Sequence, residues 1–514
     1  MSNVTWTIIA FVIYTAAMIA IGGVFYKKSN NLSDYFLGGR GLNAWVGALS
    51  AQASDMSGWL LMGLPGSIYL LGTGQIWIAV GLCLGTLLNW VFVASRLRRY
   101  TIKSGNSLTL PEYFENRFRD SSRILRTASA IFIIIFFAVY TASAFVACGK
   151  LFAQVFGVDY QIALLIGVLV ILIYTYLGGF HAVCWTDLVQ GIMMLIAILA
   201  VPIIALAALG GFEAVSGSLP AEFLNPFRES GKDISAISII SQLAWGLGYF
   251  GMPHILVRFM AIRSNKEIKR SRVIAMVWVV ISLAFAVVVG IVGKVFVQNV
   301  PGDGETVFIE MIQKIFMGLD GETAIVPVAF IGGLFLCGIL AAIMSTADSQ
   351  LLVTASSISD DIYKGLINKK AGDEFLVKFS RVAVVVVALV AYFIARDPES
   401  SVMNLVSNAW AGFGAAFGPL VLLSLFWRRT TRGGAAAGII AGGLTVILWE
   451  YIAIVPTAAG AVTLSAATGL YSLVPGFALS LVCIILFSFL TKKPTDDMLE
   501  EFDAVKNMAK NGED

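Results

Sequence analysis

Charge is scarce in this chain. Only 13% of its 514 residues are Asp, Glu, Lys or Arg, against about a quarter in ordinary soluble domains. With 58% hydrophobic residues and a mean hydropathy of +0.84, that deficit excludes a soluble globule. Histidine is nearly missing: His181 and His254 are the only two, too few for a His-rich metal centre. The five cysteines (Cys83, Cys148, Cys184, Cys337, Cys483) lie in or beside apolar runs with no CxxC pair. They read as buried free thiols, with neither a disulfide nor a zinc role. No GxxxxGK[ST] phosphate loop occurs, and the stretch after 491 is too short for a nucleotide-binding domain, so no ATP partner is expected. No basic block interleaved with aromatics points to nucleic acid. No nucleophile–base pair, metal cluster or cofactor motif points to an enzyme.

What the chain has in abundance is long apolar runs. A membrane-crossing helix needs about 20 mostly apolar residues. By that measure the sequence predicts an all-α polytopic membrane protein with about 13 spans. These segments, numbered in order, fall near 5–26, 42–70, 73–95, 125–153, 161–179, 187–210, 235–257, 273–298, 324–346, 376–395, 402–427, 434–456 and 470–491. Segments 2 and 4 are long enough to be tilted or broken. The first run lacks a basic leader and is too long for a signal peptide, so it reads as a span. Residues 1–491 form one transmembrane domain, and 492–514 a short cytoplasmic tail.

The loops orient the chain. Residues 96–126 hold eight basic residues against three acids, and 258–272 hold six against one. The stretches 27–40 and 428–432 are basic too, and in a 13-span chain all four lie on one side. The opposite loops are acidic or neutral: 298–323 carries five acids and one lysine, and 457–469 no charge. The positive-inside rule then puts the N-terminus outside and the C-terminus in the cytoplasm of a multi-pass cell-membrane protein.

Two segments break their own helical pattern. Segment 2 contains 50-SAQASDMSGWLLMGLPGS-67, and segment 7 carries Gly246, Gly248, Gly251 and Pro253. They are five segments apart. Five is odd, so equivalent helices run in opposite directions, as in a five-plus-five inverted repeat of segments 2–6 and 7–11. Secondary transporters bind substrate where such paired discontinuous helices meet. An unwound turn in hydrocarbon persists only if its backbone groups are satisfied. Freed carbonyls suit a sodium ion, and the N-terminus of the next half-helix suits a carboxylate. Gly63, Pro65 and Gly66 fit close packing or a kink equally well. Asp55 does not, because a carboxylate inside a span marks function by default.

Ala342, Ser345, Thr346 and Ser349 recur at spacings of three and four on segment 9, so they share one face. The stripe is either a packing seam or a set of oxygens offered to a cation, with Asp348 beside it. Asp187 opens segment 6, as a helix-start acid or on an ion exit path. His254 reads as a helix-end residue facing the cytoplasm. Trp59, Tyr140, Trp245 and Tyr249 cluster at the depth of the breaks.

Several motifs together resemble the sodium/solute symporter family, and within it the sodium/proline symporters: 34-DYFLGGR-40, 53-ASDMSGWLLMGLPGS-67, 108-LTLPEYF-114, 245-WGLGYFG-251, 253-PHI-255, 340-LAAIMST-346 and 408-NAWAGFGAAFGPLVL-422. The resemblance implies the inverted-repeat fold with 13 helices and sodium-coupled uptake of L-proline by alternating access. It also implies residue roles. The carbonyls of Ala53, Met56 and Ala342, with the hydroxyls of Ser345 and Thr346, resemble the sodium site. Asp55 and Asp187 resemble sodium-linked acids. Ser57, Gly58, Trp59, Tyr140, Trp245, Tyr249 and Pro253 resemble the proline pocket and its gate, and Arg40 a coupling residue. The chain departs from the family pattern at two positions. Met252 stands beside the pocket where many proline permeases have glutamine, which leaves room for another small amino acid or carboxylate. Asp348 stands where many lack an acid, which suggests a second cation site or a proton-linked step.

Overall fold

A computed structural model describes residues 2–26, 32–318, 326–457 and 460–511. Parts of the basic 27–40 stretch and of the acidic 298–323 loop therefore lie outside the described residues. The fold is almost wholly helical, with two small antiparallel hairpins, Arg228–Glu229 with Lys232–Asp233 and Ala453–Thr457 with Gly460–Thr463. Among the described residues, ten helices are long and apolar enough to cross a membrane. Three shorter apolar helices, Trp59–Leu71, Tyr160–Tyr176 and Ala236–Phe250, coincide with segments 2, 5 and 7.

Segment 2 is discontinuous. Asn43 caps the helix Ala44–Asp55 by accepting from the Val46 N–H at 3.0 Å. The helix ends at Met56, whose ψ of 78° turns the chain away. After Ser57 and Gly58 it restarts as a wide turn, Trp59–Gly63, that runs into Leu64–Leu71. Segment 7 is discontinuous as well. The helix Ala236–Leu243 tightens into a 3-10 stretch, Ala244–Phe250, breaks at Gly251–Met252, and resumes as Pro253–Ala261 with proline at its first position.

The two broken segments run antiparallel. Leu42, at the start of segment 2, bridges Ile262, after segment 7, through Leu42 N–H to Ala261 O at 3.1 Å and Arg263 N–H to Leu42 O at 3.0 Å. At the other end Thr73 N–H donates to Phe223 O at 2.8 Å, just upstream of segment 7. Glycine makes the close approaches possible. A Cβ on Gly246 would lie 2.2 Å from the Gly81 carbonyl, and one on Gly248 only 1.9 Å from the Trp410 indole nitrogen.

One boundary is corrected, and two expectations gain detail. Segment 4 is an unbroken helix, Ile124–Phe156. Its one interior glycine, Gly149, packs under Tyr160, so no carbonyls are freed there. Segment 12 ends at Tyr451, and 453–456 belong to a β-hairpin. The stretch after 491 carries a helix, Asp496–Asn511, whose Met498, Phe502 and Val505 are buried. Arg119 pairs with Asp497 at 2.9 Å and Glu501 at 2.7 Å, which seats that helix on the 96–126 region.

Candidate functional site

The break in segment 2 faces the long helix Val326–Ser356 of segment 9. Four of the five groups expected to hold sodium converge there. The Ser345 hydroxyl donates to Ala53 O at 2.8 Å and to Ala342 O at 3.2 Å. The Thr346 hydroxyl reaches the same carbonyls at 3.4 and 3.2 Å. Two hydroxyls crowd onto two carbonyls, and that of Ala53 lies in the last turn before segment 2 breaks. A cation that accepted all four oxygens as ligands would turn the hydroxyl lone pairs inward and satisfy the carbonyls together, the all-oxygen shell a hard ion prefers. The fifth group, the Met56 carbonyl, sits at the turn where the helix stops.

Asp55 is the hub between the two breaks. It is fully buried, and its Oδ2 accepts from the Tyr249 hydroxyl of segment 7 at 2.6 Å. Its backbone carbonyl accepts from the Trp59 indole N–H at 3.0 Å and the Tyr140 hydroxyl at 3.4 Å. Segments 2, 4 and 7 thus meet on one residue. Ser57 accepts from the Trp59 N–H at 3.4 Å. Gly58 lies where a Cβ would be 2.9 Å from the Ala147 methyl, so a side chain there would push segment 4 away.

Trp245 stands further along. It stacks on Trp410 and Tyr471, with ring centroids 6.2 and 5.6 Å away, and its carbonyl accepts from the Trp410 indole at 2.7 Å. Tyr249 meets the same Trp410 edge-on at 5.1 Å. Trp59, Tyr140, Trp245 and Tyr249 are all buried. Met252, buried at the break, precedes Pro253, which faces a separate cleft beside Phe36, Leu108 and Arg258.

Asp187 and Asp348 do not join the sodium-site carbonyls. They gather around Arg258. Asp187 Oδ2 accepts from Ser50 at 2.6 Å and from Arg258 Nη2 at 3.2 Å. Arg258 also donates to the Ser349 hydroxyl at 2.5 Å, to Ser50 at 3.1 Å and to the His254 carbonyl at 2.9 Å. Asp348 accepts from Ser349 at 3.3 Å. Ser349 in turn donates to the Ser345 carbonyl at 2.9 Å, which ties this network to the stripe. Asp187 is therefore not a helix-start acid: its helix begins at Phe180, two turns earlier. Arg258 is not a loop cation either, since it is buried in an ion pair. His254 does not face the cytoplasm. It is buried, with its ring 5.5 Å from Phe137 and 6.2 Å from Tyr140.

Polar latches close both ends. Arg40 donates to Met260 O at 2.8 Å, Ser107 O at 2.7 Å and Asn106 Oδ1 at 3.0 Å, binding the start of segment 2 to the end of segment 7 and the 104–107 loop. At the opposite face Glu305 accepts from the Val402 and Met403 N–H groups at 3.0 and 2.9 Å and from Lys150 at 2.6 Å. It caps the helix Val402–Phe426 from another part of the chain, and nothing in its local sequence signals this.

The sequence profile of the Sodium:solute symporter family matches residues 35–442. The chain is 45% identical over 502 residues to the sodium/proline symporter of Escherichia coli, covering 96% of this chain and 95% of that one. It is 46% identical over 492 residues to the high-affinity proline transporter of Bacillus subtilis, covering 95% and 98%. It is also 42% identical to that organism's osmoregulated proline transporter, covering 98% of each. Among solved structures, a Na+-coupled sialic acid symporter in a substrate-bound outward-open state shares the fold with a TM-score of 0.76 and 22% identity, covering 95% of this chain and 98% of the other. A nucleobase-cation-symport transporter in a closed conformation shares it with a TM-score of 0.57 and 12% identity, covering 93% and 99%. By its profile match and its full-length relatives, this chain belongs to the sodium:solute symporter family.

Proposed function

We propose that the protein is an electrogenic symporter that carries L-proline into the cell with sodium by alternating access. The observation that carries this reading is the convergence of the Ala53 and Ala342 carbonyls with the Ser345 and Thr346 hydroxyls at the break of segment 2. The relatives named above supply the substrate. Sodium enters between segments 2 and 9 and draws Ala53 toward Ser345 and Thr346, with the Met56 carbonyl as its fifth ligand. That fixes the break and presents the half-helix N–H groups after Ser57 and Gly58 to the proline carboxylate. The pyrrolidine ring packs on Trp59, Tyr140, Trp245 and Tyr249, with Met252 shaping the wall and Pro253 setting the restart of segment 7 behind it. Asp55 reports sodium to segment 7 through Tyr249. Reciprocity then requires proline to tighten sodium by the same factor that sodium tightens proline.

The membrane topology completes the proposal. Thirteen spans, with the N-terminus outside and the C-terminus cytoplasmic, place segments 2–6 and 7–11 as inverted repeats around the site. The Arg40 latch is then cytoplasmic and the Glu305 latch external. Asp187, paired with Arg258, and Asp348 line the sodium exit toward the cytoplasm. One sodium with zwitterionic proline moves one net charge, worth about 2.3 kcal/mol at 100 mV, or a roughly 50-fold accumulation. Asp55→Ala tests the reading: sodium-dependent proline uptake is lost while the protein still inserts, and ordinary sodium activation in that variant would refute it.

A further inference from the structure

We propose that the protein carries a built site for one anionic phospholipid on the face formed by the starts of segments 2, 6 and 8. Two cavities meet there. One, of about 740 Å³, opens among Trp45, Trp185, Arg263, Lys269 and Arg270. The other, of about 500 Å³, continues from it, sharing Trp45, Leu188, Val273 and Ile274. The two ends differ in chemistry as a lipid does.

The mouth is cationic. Arg263, Lys269 and Arg270 are exposed, and Glu267 is the one acid among them, so the mouth keeps a net charge of two. Glu267 pairs with Arg263 at 2.9 Å and Arg270 at 3.5 Å, and its other oxygen accepts the Ala44 N–H at 2.8 Å, so it orients the arginines from below. Trp45 is 63% exposed and Trp185 38% exposed at the same level. Half-exposed tryptophans belong at the headgroup depth of a bilayer.

The trench is apolar throughout. Leu49, Leu188, Ile192, Val277, Trp278 and Ile281 line it. Lys269, Val273, Val277 and Ile281 follow at steps of four along one helix, a span of twelve residue steps. That is about 18 Å at 1.5 Å per residue, close to half of a ~30 Å hydrocarbon core. The groove therefore matches one leaflet: a phosphate on the cations and an acyl chain in the trench. Basic pockets between membrane helices on the cytoplasmic side bind anionic headgroups in this way. One wall is the half-helix Ala44–Asp55, which also carries Ala53, so the lipid would brace the element that holds sodium.

Native mass spectrometry of the purified full-length protein, incubated with dioleoyl-phosphatidylglycerol or dioleoyl-phosphatidylcholine, tests the site. The wild type retains one phosphatidylglycerol in preference to phosphatidylcholine. The double variant Lys269→Gln/Arg270→Gln lowers that retention by about tenfold or more, and Val277→Trp, which fills the trench, does the same without touching charge. Lys492→Gln/Lys493→Gln, at a distant basic surface, leaves it unchanged. Equal retention of the two lipids by the wild type, or undiminished phosphatidylglycerol retention in both groove variants, would overturn the proposal.

Discussion

Removing the Ser345 hydroxyl is the sharpest single perturbation of the sodium site. Ser345 lies 2.8 Å from Ala53 O and 3.2 Å from Ala342 O, so it is the shortest link between the break and segment 9. In Ser345→Ala a bound sodium loses one of five oxygens, and in the empty state the Ala53 carbonyl loses its nearest donor. A contact between a hydroxyl and a charged group is worth about 1.5–3 kcal/mol. Part of that is returned because the empty state is weakened too, so about 1–2 kcal/mol remains. At 1.4 kcal/mol per decade, the sodium concentration for half-maximal uptake rises about 5- to 30-fold. Thr346 stands further from Ala53, at 3.4 Å, so Thr346→Ala shifts the same curve less, and Thr346→Ser, which keeps the hydroxyl, leaves it close to wild type. Proline uptake into proteoliposomes, measured against sodium at saturating proline, gives the curves. The maximal rate should change far less than the midpoint. Unchanged midpoints in both alanine variants would return the stripe to helix packing and refute the reasoning.

Other expectations follow from the same geometry. Tyr249→Phe removes the 2.6 Å hydrogen bond to Asp55 and leaves that carboxylate without its segment 7 partner. Sodium then no longer tightens proline, and titration of proline affinity with and without sodium checks it: an undiminished coupling factor contradicts the role of Asp55 as the link between the breaks. Arg258→Gln strips Asp187 of its buried counter-ion, a loss of about 3–5 kcal/mol. Adding Asp187→Asn recovers much of it, because the surviving amide pair is neutral. Thermal unfolding of the purified single and double variants measures the recovery, and a double variant no more stable than Arg258→Gln speaks against the pair.

Much of this architecture was legible in the residues because membrane constraints are severe. Apolar length located the segments, and glycine, proline and Asp55 located both breaks, since irregular backbone at that depth needs a reason. The spacing of Ala342, Ser345 and Thr346 put them on one face because one helix carries them all, but it left a packing seam and a set of cation-facing oxygens both open. Contacts between distant segments were not legible. Arg258 sits in a basic run and reads as a loop cation, yet the helix Pro253–Ala261 continues far enough to bury it against Asp187. His254 shared that misreading, because Pro253 looked like an end and is a restart. Glu305 capping a helix about a hundred residues away has no local signature. The helix after 491 was hidden by its charge: its apolar face is one narrow row, Met498, Phe502 and Val505, and it packs against the 96–126 region, with Asp503 also paired to Arg428.

The most direct test is uptake by the purified protein in liposomes, with labelled proline outside and the sodium gradient and membrane potential set independently. The account predicts saturable accumulation that requires inward sodium and rises when the interior is made negative, with one net charge entering per proline. Proline uptake that ignores sodium, or sodium-driven accumulation that ignores the potential, would contradict it.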